Sequence, residues 1–361
     1  MSSLFIPPCS VTDSDLPAIS AADYGTVGDG VANDTDALQA AVAAAKAAKK
    51  PLFFPAGTYL LTAPIVLDWH GARIIGAGSS HESVSPTILK CTTDITLISV
   101  SSNREGVSIE GLRLTGPGTG TSTKAGLHFV IGTGENCDLT KVERVHSSGF
   151  YYGIRADDVA NSQFISCDCS QNTYGFYSAG NCNSNALIGV AAMSCAQSGI
   201  RLVNGSGWSV IGGDIGGQST TTPLDIEAES AVVQGVNFEC YETSSGTIAR
   251  VGGSYSRVGF SGCTWKNLVG GGTMPYAVTV ANGSKVHLEA CSLAIGNATT
   301  GANVKLEIGL GAEVTATATY AIGIAFSGAT PLEKFIAGPI YAASGGDGVS
   351  PSASTVGRLN W

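Results

Sequence analysis

Between residues 100 and 295 the chain alternates apolar and polar positions in short runs, and the apolar positions recur at a nearly fixed spacing. Ile154, Phe176, Ile200, Leu224 and Ile248 follow one another at intervals of 22, 24, 24 and 24 residues. A second ladder, Val145, Cys167, Val190, Gly213 and Val236, steps by 22, 23, 23 and 23, and a third runs Cys169, Ala192, Ile215, Phe238 and Cys263. Period-two alternation puts the ladder residues inside and their neighbours outside. Two strands with their turns in each repeat predict one rung of a β-solenoid. Gly, Ser and β-branched residues dominate the repeats, which argues against short helices.

Ahead of the repeats the period changes. Leu38, Ala41, Val42 and Ala45 fall at i, i+3, i+4 and i+7, which predicts an amphipathic helix over residues 36–48. Asp34 or Thr35 is expected to cap its exposed amides, Lys46, Lys49 and Lys50 suit its negative end, and Pro51 closes it. A solenoid leaves an open end, so this Ala-rich helix is expected to cover the first rung. The chain thus divides into a lead-in or attachment segment (1–20), a cap motif and helix (21–62), the coil (63–295), and a C-terminal region (296–361). That last region reads either as further rungs or as a small β region with a loose tail.

Composition narrows the picture. Charged residues are only 13% of the chain and there are 48 Gly, which suits an all-β architecture with many tight turns. The net charge is −9 with 19 Lys and Arg and no basic run, which argues against a nucleic-acid partner. A polyanionic ligand would need a local basic patch. The opening MSSLFIPPCS has neither a basic start nor a long apolar stretch, so the expectation is synthesis in a cytoplasm without a secretory signal and without membrane insertion. The ten cysteines are expected to be reduced. Only Cys167 and Cys169 lie close together, and inward ladder positions suit thiols as small apolar groups. No metal and no cofactor is expected.

The most distinctive segment is Asp23-Tyr24-Gly25-Thr26-Val27-Gly28-Asp29-Gly30, continuing through Asn33, Asp34 and Asp36 and followed by Phe53-Phe54-Pro55-Ala56-Gly57-Thr58-Tyr59. It resembles the N-terminal signature of the pectate-lyase-like right-handed β-helix superfamily, especially its phage tailspike and polysaccharide-depolymerase branch. The resemblance implies a right-handed, single-stranded parallel β-helix with an N-terminal capping α-helix. It further implies a polysaccharide substrate, a homotrimer, and a place on a virion tail or another extracellular particle. The motif itself reads as structural: its glycines permit tight turns, and Asp23, Asp29 and Asp34 can accept from nearby amides. It is not a phosphate-binding loop. The Gly-His-Gly of polygalacturonases is absent. Where alginate epimerases carry Asp-Pro-His-Glu, this chain has residues 152–158, YGIRADD. One copy of Gly345-Gly346-Asp347-Gly348 is too little for a calcium-binding repeat.

Equivalent residues on successive rungs stack about 4.8 Å apart, so the repeat becomes a surface map. Next to the first ladder, Arg155, Tyr177, Arg201, Asp225 and Ala249 are expected to point outward, followed two positions on by Asp157, Ala179, Val203, Glu227 and Val251. Tyr151 and Asp158 lie beside the first rung. On this face Asp157, Asp158, Asp225 and Glu227 are the candidate catalytic carboxyls, and Tyr151, Arg155, Tyr177 and Arg201 the candidate substrate-binding residues. Two carboxyls serve a glycosidase, whereas a lyase needs a base with an Arg near the uronate. Exposed ion pairs with no function are the plain alternative. A second face carries Asp168, Asp214 and Asn237, with the two aspartates two rungs, or about 9.6 Å, apart. His128 and His146 are lesser candidate bases, and Trp208 is either a sugar platform or core. A groove between subunits would escape this map. The expected function is cleavage of a bacterial surface polysaccharide by hydrolysis or β-elimination; the alternative is a non-catalytic glycan-binding or structural spike.

Overall fold

The structure is a computed structural model describing residues 18–79, 86–132, 136–217, 222–240, 247–253, 255–267 and 276–293. It also describes strand segments 304–308, 312–317, 320–321, 324–327 and 335–337. Strands of two to six residues pair in parallel with the strand one rung away. Among the described residues, one sheet has 13 strands from Ile19–Ser20 to Phe335–Ala337, and a second has 11 from Ile65–Leu67 to Ile324–Ser327. Two five-stranded sheets, linked by bridges through His146, Asp168, Ala191 and Ala192, form a third side. Parallel neighbours in one sheet are joined by right-handed crossovers. The chain is a right-handed parallel β-helix.

The rung turns where the backbone adopts the left-handed conformation. Arg144, Ser166, Gly189, Gly212, Gly235, Gly262 and Ala290 hold φ between 49° and 63° at equivalent corners of successive rungs. Four of the seven are Gly, which takes this conformation without the steric cost other residues carry.

Inside, the ladders form one continuous core. Phe164 meets Phe176 at 4.8 Å and 73°, and Phe238 stacks on Trp265 at 4.8 Å and 26°. Burying each such side chain contributes roughly 1.5–3 kcal/mol. Asn172 is fully buried yet satisfied: its Nδ2 donates to the Ser147 and Cys169 carbonyls, both at 2.8 Å, and its Oδ1 accepts from Phe150 N at 2.9 Å. Cys91, Cys137, Cys167, Cys169, Cys182, Cys195, Cys263 and Cys291 are free and buried, as packing groups should be. Cys9 lies outside the described residues.

Two ladders need correction at their far ends. Leu224 pairs with Ala249 rather than Ile248, because that rung is one residue longer. In the third ladder Phe238 pairs with Trp265, while Cys263 continues the second ladder beyond Val236. A one-residue slip exchanges inward and outward positions. Consequently Ala249 and Val251 are buried, and Arg250 takes the outward place.

The helix spans Thr35–Ala48 and buries Leu38, Ala41, Val42 and Ala45 against the first strands, Ile19–Ser20, Leu52–Phe54 and Ile65–Leu67. Neither expected cap forms through a side chain. The Asp34 carboxylate turns back to accept from Val27 N at 2.6 Å and Gly28 N at 3.2 Å, and Asn33 Oδ1 receives the Thr35 amide instead. Asp29 accepts from Val31 and Ala32, both at 2.8 Å, while Asp23 is exposed. Strand pairing continues past residue 295: Val304–Ile308 joins Tyr276–Val280, and Glu313–Thr317 joins Lys285–Glu289. Residues 1–17 and the segment from Gly345 to Gly348 lie outside the described residues.

Candidate functional site

The outer face of the 11-stranded sheet carries an in-register row of Ser99, His128, Arg155, Tyr177, Arg201, Asp225, Arg250 and Thr279. Each is the residue after an inward ladder position, so the pleat places them side by side. Three groups form along this row.

The first is built around Asp157, two positions beyond Arg155. It is fully buried under its own neighbours. Its Oδ2 lies 2.9 Å from His128 Nε2 and 2.7 Å from Arg155 Nε, while its Oδ1 is buried with no partner among the described residues. Asp157 thus lies behind His128 and Arg155 rather than at the surface. Asp158 adopts φ 51°, and its carboxylate ties neighbouring rungs together, accepting from Asn181 N at 2.7 Å and Gly132 N at 3.1 Å.

The second group is aromatic. Tyr152 and Tyr174 stack at 5.5 Å and 21°. Tyr151 lies 4.8 Å from Tyr152, and Tyr177 lies 4.8 Å from Tyr152 and 5.5 Å from Tyr174. The Arg155 guanidinium sits 4.9 Å above Tyr152, and that of Arg201 5.9 Å from Tyr174. Such contacts are worth about 0.5–1 kcal/mol each at partly exposed sites. Burial raises the Tyr152 and Tyr177 hydroxyls above the ordinary phenol range, with nearby guanidinium groups pulling the other way. Both remain proton donors at neutral pH.

The third group is ionic. Arg250 forks onto Asp225, its Nε donating to Oδ1 at 2.8 Å and its Nη2 to Oδ2 at 2.7 Å. The same Nη2 donates to Glu227 Oε1, which also accepts from Arg201 Nη2 at 3.2 Å. Arg201 Nε stands 3.4 Å from Asp225 Oδ2. Burial raises the Asp225 carboxyl above its ordinary value, opposed by Arg250 and Arg201. The Asp225 carboxylate in turn raises Arg250.

Seven of the eight expected residues lie along this face in separate groups, whereas Asp158 sits at the corner that follows the strand Tyr152–Asp157. Tyr152, Tyr174 and Arg250 also stand on this face and were not among the residues expected there, and His128, a lesser candidate base, lies in the same row. The two tyrosines recur at the same 22-residue interval as Ile154 and Phe176, so that signal was present.

On the second face, Asp214 accepts from Asn237 Nδ2 at 2.9 Å, and Asp168 lies 3.4 Å from His146 Nδ1. Trp208 is core, buried edge-on against Phe176 at 5.9 Å. A hollow of about 440 Å³ lies elsewhere, on the 13-stranded sheet around Gly259. The ionic and aromatic groups lie instead along the in-register row on the 11-stranded sheet. Among the described residues, no group of three or more His, Cys, Asp or Glu is placed to hold a metal ion, and no helix is long and apolar enough to cross a membrane.

Several solved structures share this fold at low sequence identity. The A-module of mannuronan C-5 epimerase AlgE4 from Azotobacter vinelandii aligns with TM-score 0.53 and 16% identity over 92% of this chain and 100% of its own. The enzymatically active domain of bacteriophage CBA120 tailspike protein 2 aligns with TM-score 0.62 and 15% identity, covering 83% of this chain and 47% of that one. The Dettilon tailspike protein aligns with TM-score 0.57 and 14% identity over 91% and 68% of the two chains. No curated protein sequence matches the chain significantly. A family model does match, over residues 18–273. The chain belongs to the rhamnogalacturonase A/epimerase, pectate lyase-like family.

Proposed function

We propose that the chain binds a polysaccharide along the outer face of the 11-stranded sheet and cleaves it there by β-elimination beside a uronic acid. The observation that carries this reading is the His128–Asp157 pair next to the four-tyrosine cluster. Epimerases and tailspikes among the similar structures support a polysaccharide as substrate. The tailspike resemblance extends the proposal to a homotrimer carried on a virion tail or another extracellular particle.

The chemistry follows from the positions. In this reading Asp157 Oδ2, beside Arg155 Nε, accepts the His128 Nε2–H, which leaves the lone pair on Nδ1. That nitrogen takes the proton α to the sugar carboxylate. The C–H electron pair becomes the new C4=C5 double bond, and the C4–O bond to the next sugar breaks. Tyr177, protonated at neutral pH, or a water returns a proton to the leaving oxygen. Arg155 and Arg201 supply positive charge where the carboxylate gains electron density. The tyrosine faces hold the rings on either side. Asp158 has a rung-tying role in this account.

A second reading rests on Asp225 and Glu227. Both accept from one nitrogen, so those two oxygens stand at most about two hydrogen-bond lengths apart, an upper limit close to the roughly 5–5.5 Å carboxyl spacing of a retaining glycosidase. Elimination is preferred because both carboxylates are already engaged by arginines. Digestion of a panel of capsular and lipopolysaccharide glycans separates the possibilities. Elimination gives oligosaccharides with the ultraviolet absorbance of a conjugated double bond, hydrolysis gives new reducing ends without it, and a non-catalytic binder gives neither.

A further inference from the structure

On the 13-stranded sheet, away from the tyrosine face, a row of outward positions runs Ser209, Val232, Gly259, His287 and Thr315 in register. It forms the floor of the 440 Å³ hollow, with Arg257 and Lys285, also in register, along one side. Gly259 sits in the middle of the strand Arg257–Ser261, where glycine weakens a sheet. Neither backbone nor packing requires it. Its φ is not in the left-handed region, and a Cβ there would meet nothing within 4 Å. A missing side chain with no local cause marks space kept open for an approaching ligand. Val232 beside it is 51% exposed, an apolar surface framed by polar groups. His287 Nδ1 is 2.7 Å from Thr315 Oγ1, which fixes its ring at the far side of the floor. Glu289 follows on the same strand but does not line the hollow.

In a chain of net charge −9, this hollow gathers Arg257, Lys285 (in register with Glu313) and His287 over a small apolar floor. Sugar rings have apolar faces and hydroxyl edges, and a uronate adds a carboxylate for the cations. We propose that the Gly259 hollow is a second saccharide site, holding an anionic segment of polysaccharide apart from the tyrosine face. The anionic class rests on the uronate substrate proposed above; the site itself rests on the hollow.

Equilibrium binding tests it separately from cleavage. In the His128→Ala background, which keeps the ligand intact, hexamers of galacturonate and mannuronate are titrated with maltohexaose as the neutral control. Two binding sites per chain are expected for at least one acidic hexamer. Gly259→Tyr fills the hollow and should leave one site. Arg257→Ser with Lys285→Ser, which leaves the floor intact, should weaken that site at least tenfold. Circular dichroism and melting identify any variant that fails to fold, and the charge variant then decides the matter. An unchanged stoichiometry and affinity in the properly folded variants overturns the proposal. So does the absence of any binding by acidic hexamers. A change of oligomeric mass with Gly259→Tyr would assign the hollow to contact between copies instead.

Discussion

His128 and Asp157, on neighbouring strands of the 11-stranded sheet, meet at 2.9 Å with the carboxylate fully buried and the imidazole partly exposed. A buried carboxylate behind a histidine that reaches the surface fixes which ring nitrogen carries the proton. Losing the imidazole should therefore lower kcat by about 10²–10⁴-fold. Asp157→Asn keeps the shape but removes the charge, and it should lower kcat by a similar factor with KM within about twofold, because Asp157 touches no substrate. Steady-state rates with melting temperatures check this. A loss traced entirely to unfolding contradicts it.

The tyrosine cluster should act mainly in binding. Tyr152→Ala and Tyr174→Ala remove stacked rings that carry no proton in the proposed reaction. Each should raise KM about tenfold, equivalent to about 1.4 kcal/mol, with a smaller effect on kcat. Substitution of Asp168 or Asp214, on the other face, should change neither.

Stability depends on interior polar groups that the ladders do not reveal. Asn172→Ala would remove the core bonds to the Ser147 carbonyl and the Phe150 amide and leave the Cys169 carbonyl to the Cys195 thiol alone. A loss of about 2–4 kcal/mol is expected in denaturant unfolding, at the upper end for one side chain.

Much of this was legible in the sequence. Ladders such as Val145, Cys167 and Val190 need only a fixed rung length, and the parallel coil follows from that. The surface was harder to read, because outward positions inherit every irregularity of the turns. The longer rung before Ala249 hid Arg250, and with it the fork that holds Asp225. Asp157 has the alternation of an exposed residue, yet Arg155 and His128 cover it, which no period-two pattern reports. Asp34 has the position of a helix cap, but two tighter amides, Val27 and Gly28, claim its carboxylate.

The buried thiols make alkaline pH a probe of the core. Burial pushes Cys167 and Cys182 up to about 12, and Cys91 and Cys195 up to about 11, from an ordinary 9.0. The unfolded chain releases these protons first, so their stabilising contribution is complete below about pH 9 and declines as pH rises toward 12. Unfolding free energy should therefore fall across that window. In native protein at pH 8, a thiol reagent should leave these four unlabelled until denaturant is added.

The most direct measurement of the central claim is a crystal structure of the Asp157→Asn variant soaked with an oligosaccharide from its own polysaccharide. The account predicts sugar rings over Tyr152 and Tyr174, with a uronate hydrogen aimed at His128 Nδ1. Sugar bound only along Asp168 and Asp214, or only between subunits, would contradict it.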